Sequence, residues 1–279
     1  MSKYLSDQNQ LSFIYESGTY GTTSGTRQWI GLVQDHTPSE AMNPITIRYQ
    51  GSTDRNVDTF ANGVQDFTGT FSYFPQDWKF LGFAIGSISD VGSHTITETN
   101  SDDVVMAANT SLQTFTLEDS KNVGTAGSNF IRTYTGGMVD SFTTTFSQGE
   151  IVNAEVSYIA QSEEFTSGAV TAVTPTTTIP YMFSDTQFMI PSGTEIDNTT
   201  EVSFTVNNNI EPGHYVNGSR VIKEALPLNR DYEVSATVSM DSSNAKTLYE
   251  NYYTGGSVFN SMIQSIGTPG SVFIIMSGC

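Results

Sequence analysis

A single cysteine, Cys279, stands at the last position of this 279-residue chain, so neither a disulfide framework nor a thiolate metal cluster can form within it. Packing alone must hold the core. Charged residues make up only 14%, against roughly a quarter in an average domain, and cations are the scarcer kind. Eleven Lys+Arg face 29 Asp+Glu, for a formal charge of −18 and a pI near 4.2. A basic clamp on nucleic acid of the usual kind is therefore excluded. An acidic wall can still serve the passage of DNA, because phosphate is held only where Lys or Arg replaces its counterions. No apolar run approaches the roughly 20 residues of a membrane-spanning helix, and no basic-then-apolar segment opens the sequence.

Catalytic chemistry is equally sparse. His36, His94 and His214 stand isolated, with no partner at helical or strand spacing to complete a zinc site. They read as surface or hydrogen-bonded residues. There is no G-x-S-x-G elbow, P-loop or EF-hand loop. Asp102-Asp103 and Glu163-Glu164 are adjacent pairs, which on a strand point to opposite faces and cannot flank one bond. They read as solvated loop charge. Two carboxylates drawn from different strands would escape this test, which keeps a hydrolase on a β-sandwich open. Trp29 and Trp78 could form a sugar platform, but aromatics at such positions are more often core. No cofactor is expected.

What the sequence has is alternation. Phe67, Gly69, Phe71 and Tyr73 alternate with Thr68, Thr70 and Ser72; Val152, Ala154, Val156 and Tyr158 alternate with Asn153, Glu155 and Ser157. Val202, Phe204 and Val206 interleave with Ser203 and Thr205, and Tyr232, Val234, Ala236, Val238 and Met240 with Glu233, Ser235, Thr237 and Ser239. Period two with β-branched residues predicts half-buried strands. Helical pattern is confined to Gln76–Ala84, after Pro75, and Asn244–Tyr253, after Asp241-Ser242-Ser243 and before Gly255-Gly256. The Pro/Thr-rich stretch 161–180 reads as a linker.

The two sides of that linker match in order. Asp66-Phe67, a strand, Lys79 and Leu81, then Gly86-Ser87 are followed in the second half by Asp231-Tyr232, a strand, Lys246 and Leu248, then Gly256-Ser257. Further on, Thr125-Ala126-Gly127-Ser128-Asn129-Phe130-Ile131 matches Thr268-Pro269-Gly270-Ser271-Val272-Phe273-Ile274 at five of seven positions. The pattern predicts an internal duplication. The first half is longer between Lys79 and Thr125, which places a loop or hairpin insertion near 89–112. The expected fold class is mostly β, with two tandem β-sandwich or half-barrel domains, each carrying one short helix. The domains are 1–160 and 181–279, the second lacking its last strand pair. The chain is therefore expected to continue past Cys279 or to receive those strands from a neighbour.

Several of these segments resemble a family. Glu16-Ser17-Gly18-Thr19-Tyr20-Gly21-Thr22, Leu81-Gly82-Phe83-Ala84-Ile85-Gly86, Phe130-Ile131, the Gly137 to Ala160 strand pair around Gly149-Glu150, Val202 to Asn209 and Lys246 to Tyr253 are similar to tail tube proteins of long-tailed, siphovirus-like viruses of bacteria and archaea. The resemblance implies a structural subunit, not an enzyme, whose inner sheet joins its neighbours' into a barrel around a channel. Stacked rings form a tube that holds a tape-measure protein and later conducts the genome. Implied partners are the chain itself, the tape-measure and tail-terminal proteins, and viral DNA passing without sequence-specific binding; no membrane is involved. The location is the virion tail, after synthesis in the host cytoplasm. Six sandwiches close such a ring, so two per chain imply a homotrimer with pseudo-sixfold symmetry. A cell-surface or secreted adhesin or carbohydrate-binding module remains the alternative.

Two sets of residues follow. Thr68, Thr70, Ser72, Glu155, Ser157, Glu233, Ser235 and Thr237, opposite the core positions, are expected to face the channel. The long connections 40–64 and 210–227, through Ile45, Ile47, Tyr49, Val221, Ile222 and Leu226, are expected to pack on an adjacent ring.

Overall fold

The computed structural model describes residues 9–16, 20–23, 25–48, 59–89, 95–98, 112–121, 129–189, 196, 198–239, 243, 246–247, 249–250, 260–265 and 273–277. The first half contains β1 (Asn9–Tyr15), β2 (Gln28–Trp29), β3 (Leu32–Ala41), β4 (Ile45–Ile47), β5 (Thr59–Ala61), β6 (Asp66–Phe74), α1 (Lys79–Ile85), β7 (Gly86–Ser89), β8 (Thr95–Glu98), β9 (Phe115–Lys121), β10 (Phe130–Ser147) and β11 (Asn153–Ala160). After it come β12 (Ser162–Thr166), β13 (Thr186–Met189), β14 (Thr199–Asn207), β15 (Glu211–Gly213), β16 (Glu224–Leu226), β17 (Asp231–Val238), β18 (Asn260–Ser265) and β19 (Phe273–Ser277).

One long strand belongs to two layers. The start of β10 pairs with β9 and β12, and its end pairs with β11 and β14. The bend falls at Gly136-Gly137. Gly136 has φ +65°, and a Cβ on Gly137 would lie 2.8 Å from the Phe115 carbonyl oxygen, so a side chain is excluded there. One layer therefore runs β2-β1-β9-β10-β12 and the other β3-β6-β11-β10-β14-β17, antiparallel throughout. β7 and β8 form a separate hairpin where the insertion begins.

Helix α1 fills the space between the layers. Its Phe80 packs edge-on against Phe13 of β1, Phe71 of β6 and Phe115 of β9, with ring centroids 5.0–5.4 Å apart. Phe83 meets Phe13, Tyr15 and Phe115. Each buried aromatic contributes roughly 1.5–3 kcal/mol by area. The helix starts three residues later than its pattern predicts. The Gln76 side chain accepts from Trp29 Nε1 and donates to the Thr178 carbonyl, and Asp77 Oδ1 accepts from the Lys79 amide, so residues 76–78 serve as the entry. Trp78 is buried as expected. In the second half, Ser243, Lys246, Thr247, Tyr249 and Glu250 are helical.

Two expectations need correction. The stretch 161–180 is not linker throughout, since its first part is β12, registered on β10 from Thr135↔Ser162 to Ile131↔Thr166. Glu163 is accordingly not loop charge: its carboxylate takes both Nε and Nη2 of Arg132, at 2.5 and 2.7 Å. Polar residues at strand ends next to a salt-bridging Arg carry no period-two signal, which hid the strand. Asp102, Asp103 and His94 lie outside the described residues.

Pairing recurs between the halves. β3 leads through the β4–β5 hairpin to β6, which pairs back on β3; β14 leads through β15–β16 to β17, which pairs back on β14. Even the register shift recurs, between Val33 and Asp35 in one pair and between Thr199 and Glu201 in the other. The order β1-β9-β10 is repeated by β13-β18-β19, with Phe130↔Lys121 answered by Phe273↔Gln264.

Candidate channel-lining surface

The outer face of the second layer is built by period two. On β6, β11 and β14 every second side chain enters the core, including Phe71, Tyr73, Val156, Tyr158, Phe204 and Val206; the residues between them must face away. Antiparallel register then joins those outward residues into rows. One row runs Asp35, Ser72, Glu155, Thr143, Thr205, Glu233, and the next Thr37, Thr70, Ser157, Ser141, Asn207, Asp231. Thr68 stands beside Ser39, Ser235 beside Ser203, and Thr237 beside Glu201. All eight residues expected to line a channel thus lie on one continuous face that crosses from the first half into the second. Six are exposed; Ser72 and Ser157 are half-buried.

The rows hold carboxylates at Asp35, Glu155, Glu201, Asp231 and Glu233 and no Lys or Arg. Small hydroxyls fill the rest, some bonded to one another, as Thr143 Oγ1 is to Thr205 Oγ1 at 3.1 Å. Sequence reasoning missed the β3 and β10 contributions. In Ser141–Ser147 three consecutive threonines mask the alternation: Thr144 points inward, is fully buried and donates to the Asn153 carbonyl at 3.2 Å.

Ionisable groups between the layers are committed to structure. Glu16 is 6% exposed and accepts from the Gly21 and Gly136 amides and from the Thr114 and Thr116 hydroxyls, at 2.7–3.0 Å. It pins the bend of β10. Arg27 pairs with Glu118. His36 bridges Asp119 at 3.2 Å and the Tyr158 hydroxyl at 2.8 Å. Burial, helped by Tyr134 and Asp119, pushes the Tyr158 hydroxyl well above the usual phenol range. Among the described residues no cluster of His, Cys, Asp and Glu could hold a metal ion.

The long connections divide. Ile45 is 57% exposed, Ile47 and Leu226 are half-buried, and Tyr49 lies outside the described residues. Ile222 is 0% exposed and offers nothing to an adjacent ring, and half-buried Val221 packs on the main core of its own chain. The loop that carries them is clasped to the first half. The Gln65 amide donates to the Arg220 carbonyl, Arg220 Nε to the Gly63 carbonyl, both at 2.8 Å, and His214 Nε2 meets Asp66 Oδ1 at 2.7 Å.

No curated protein matches the chain. Among solved structures it is similar to the SPP1 tail tube, determined by solid-state NMR and cryo-EM, at 9% identity over 61% of this chain and 81% of that one, with a TM-score of 0.38. The family model for phage tail tube proteins matches residues 6–275. By that match, which runs over nearly its whole length, the chain belongs to the phage tail tube protein family.

Proposed function

We propose that three copies of this chain close a ring with pseudo-sixfold symmetry, and that stacked rings form a tube whose lumen is the polar face of the β3-β6-β11-β10-β14-β17 layer. Membership of a structural family of the virion tail replaces the adhesin alternative. The halves, 1–160 together with β12 (Ser162–Thr166), and 181–279, each supply one sandwich-like unit. The observation that carries the reading is the β10–β14 pairing, from Ser141↔Asn207 to Ser147↔Glu201. Through it the sheet of one half continues into the sheet of the next, as a closed barrel requires of every unit.

The lumen repels more than it grips. Duplex phosphate finds hydroxyls and carboxylates along Thr68, Thr70, Ser72, Glu155, Ser157, Glu233, Ser235 and Thr237, and binding that depends on cations has nothing to start from. The tape-measure protein occupies the same channel before the genome does, and tail-terminal proteins cap the tube. Ile45 and Val216, which is fully exposed at the tip between β15 and β16, offer apolar surface for stacking on the next ring.

Rotational averaging of end-on ring images tests the proposal. Threefold power at high resolution with sixfold power at low resolution is the expected result. Strict sixfold symmetry at all resolutions would mean six whole chains per ring and reject it.

A further inference from the structure

The two long hairpins occupy matched positions but differ in what covers them. Because both leave and rejoin their strands in the same register, Met42 corresponds to Asn208, Asn43 to Asn209, Arg48 to His214, Phe60 to Ala225 and Asp66 to Asp231. Asn43 and Asn209 both adopt a left-handed backbone, at φ 39° and 48°. Both turn their amide onto the aspartate that opens the following strand: Asn43 Nδ2 reaches Asp66 Oδ2 at 2.9 Å, and Asn209 Nδ2 reaches Asp231 Oδ2 at 3.0 Å.

At that point the halves part. Asp66 has its other oxygen filled by His214 of the second hairpin, which leans on the first half of its own chain. Asp231 has no second partner among the described residues. Arg48, in the place of His214, is exposed and likewise has none there. Burial at the matched positions shows the same imbalance. Asn208 and Ala225 are 1% and 7% exposed, covered by groups of the first half such as the Val139 carbonyl and Met138, whereas Met42 and Phe60 are 52% and 63% exposed.

From this mismatch we infer that the β4–β5 hairpin docks on the second half of a neighbouring copy as β15–β16 docks on the first half of its own chain, pairing Arg48 with the neighbour's Asp231 and covering Met42 and Phe60. A second copy is the partner because the Asn209–Asp231 unit repeats the Asn43–Asp66 unit that the second hairpin recognises. Arg suits an exposed rim better than His, being charged at every working pH and able to fork onto a carboxylate. Phe60 lies opposite Thr46 while Ile45 lies opposite Ala61, so the docking residue and the stacking residue occupy opposite faces of the hairpin. The inference rests on the ring reading above, in which each half meets the next in one way.

The test is a charge swap. R48E and D231R chains should each need about tenfold more protein to form rings, since an exposed ion pair is worth up to about fivefold and like charge adds to its loss. The double variant R48E/D231R should return to within about twofold of the parent. In a C279S background, mixing R48C with D231C chains and bridging them with a short bismaleimide should cross-link only between copies, and R48C/D231C chains should give a ladder ending at the trimer. Unchanged assembly of the single variants, with no cross-link in rings that keep threefold symmetry, overturns the docking and leaves the ring reading standing. A ladder that runs on to six chains overturns the ring reading itself.

Discussion

Asn208 ties the halves together, and replacing it with alanine should be costly. Its side chain is 1% exposed. Nδ2 donates to the Ala84 carbonyl at 2.8 Å and the Val139 carbonyl at 2.9 Å, and Oδ1 accepts from Arg230 Nε at 2.8 Å. Arg230 in turn donates to the Ile85 carbonyl at 3.0 Å, so the last turn of α1, in the first half, is capped by two residues of the second. In N208A the carbonyls of Ala84 and Val139, both 0% exposed, lose a donor, and Arg230 loses an acceptor. Each of the two orphaned buried carbonyls costs about 1–3 kcal/mol, which sums to about 2 kcal/mol at the least, while half-buried Arg230 keeps its bond to the Ile85 carbonyl. For a chain of this size that is roughly 4–8 °C in Tm. Calorimetry on unassembled chains at one fixed concentration measures it. N153A, on the exposed polar face, serves as the control and should move Tm by about 1–2 °C or less. An N208A chain that melts with the parent would refute the three-bond account of the seam.

Four further outcomes are expected. F80A removes the ring that meets Phe13, Phe71, Tyr73, Phe83 and Phe115 and should lower stability by about 3–5 kcal/mol, read from urea unfolding. Tubes of T70K/S157K, a register pair on the proposed lumen, should bind duplex DNA and lose it steeply with salt, where parent tubes bind none. The hydroxyls of Tyr73 and Tyr158 are raised from 10.0 by burial; because the folded values lie above the unfolded one, their contribution is complete below pH 10 and lost above it. Stability should therefore fall above about pH 10, and the share of the phenolate absorbance that belongs to the buried tyrosines should appear late and together with unfolding. I45D/V216D chains should close rings yet fail to elongate, by negative-stain length distributions.

Much of the wide layer was legible because it obeys one rule. In β6, β11, β14 and β17 the alternation of large apolar with small polar residues survives end to end, and all eight proposed lumen residues came from those strands or their period. β3 was not legible: His36 takes a core position by bonding Asp119 and Tyr158, and Pro38 sits opposite Gly69, so neither reads as an inward hydrophobe. The hairpins are legible only as long loops, since three-residue strands carry no period. What the sequence did show was the order of features, and Asp66-Phe67 against Asp231-Tyr232 stands at matched register in the structure. Asn43 and Asn209 carry no sequence signal, because a left-handed asparagine bonding forward to an aspartate is visible only once the turn is closed.

The two kinds of seam in the proposed ring face different demands, and their residues reflect it. The seam inside the chain never meets water as a separate surface: the connection holds its two sides at the millimolar effective concentrations typical of short tethers. It can therefore bury polar groups such as Asn208 with every bond satisfied. The seam between chains must be tolerated by free subunits before they assemble. Its proposed apolar residues, Met42 and Phe60, are few and set in a chain of charge −18, whose self-repulsion opposes premature association. Salt screens that repulsion over about 8–10 Å, but it also screens the Arg48–Asp231 pair, so the two effects oppose each other. Because each chain carries a net charge of −18 and the pair is one contact per seam, the repulsion outweighs the attraction. Ring assembly should accordingly strengthen with moderate salt in the parent. In R48E, where the seam itself becomes repulsive, the strengthening should be greater still.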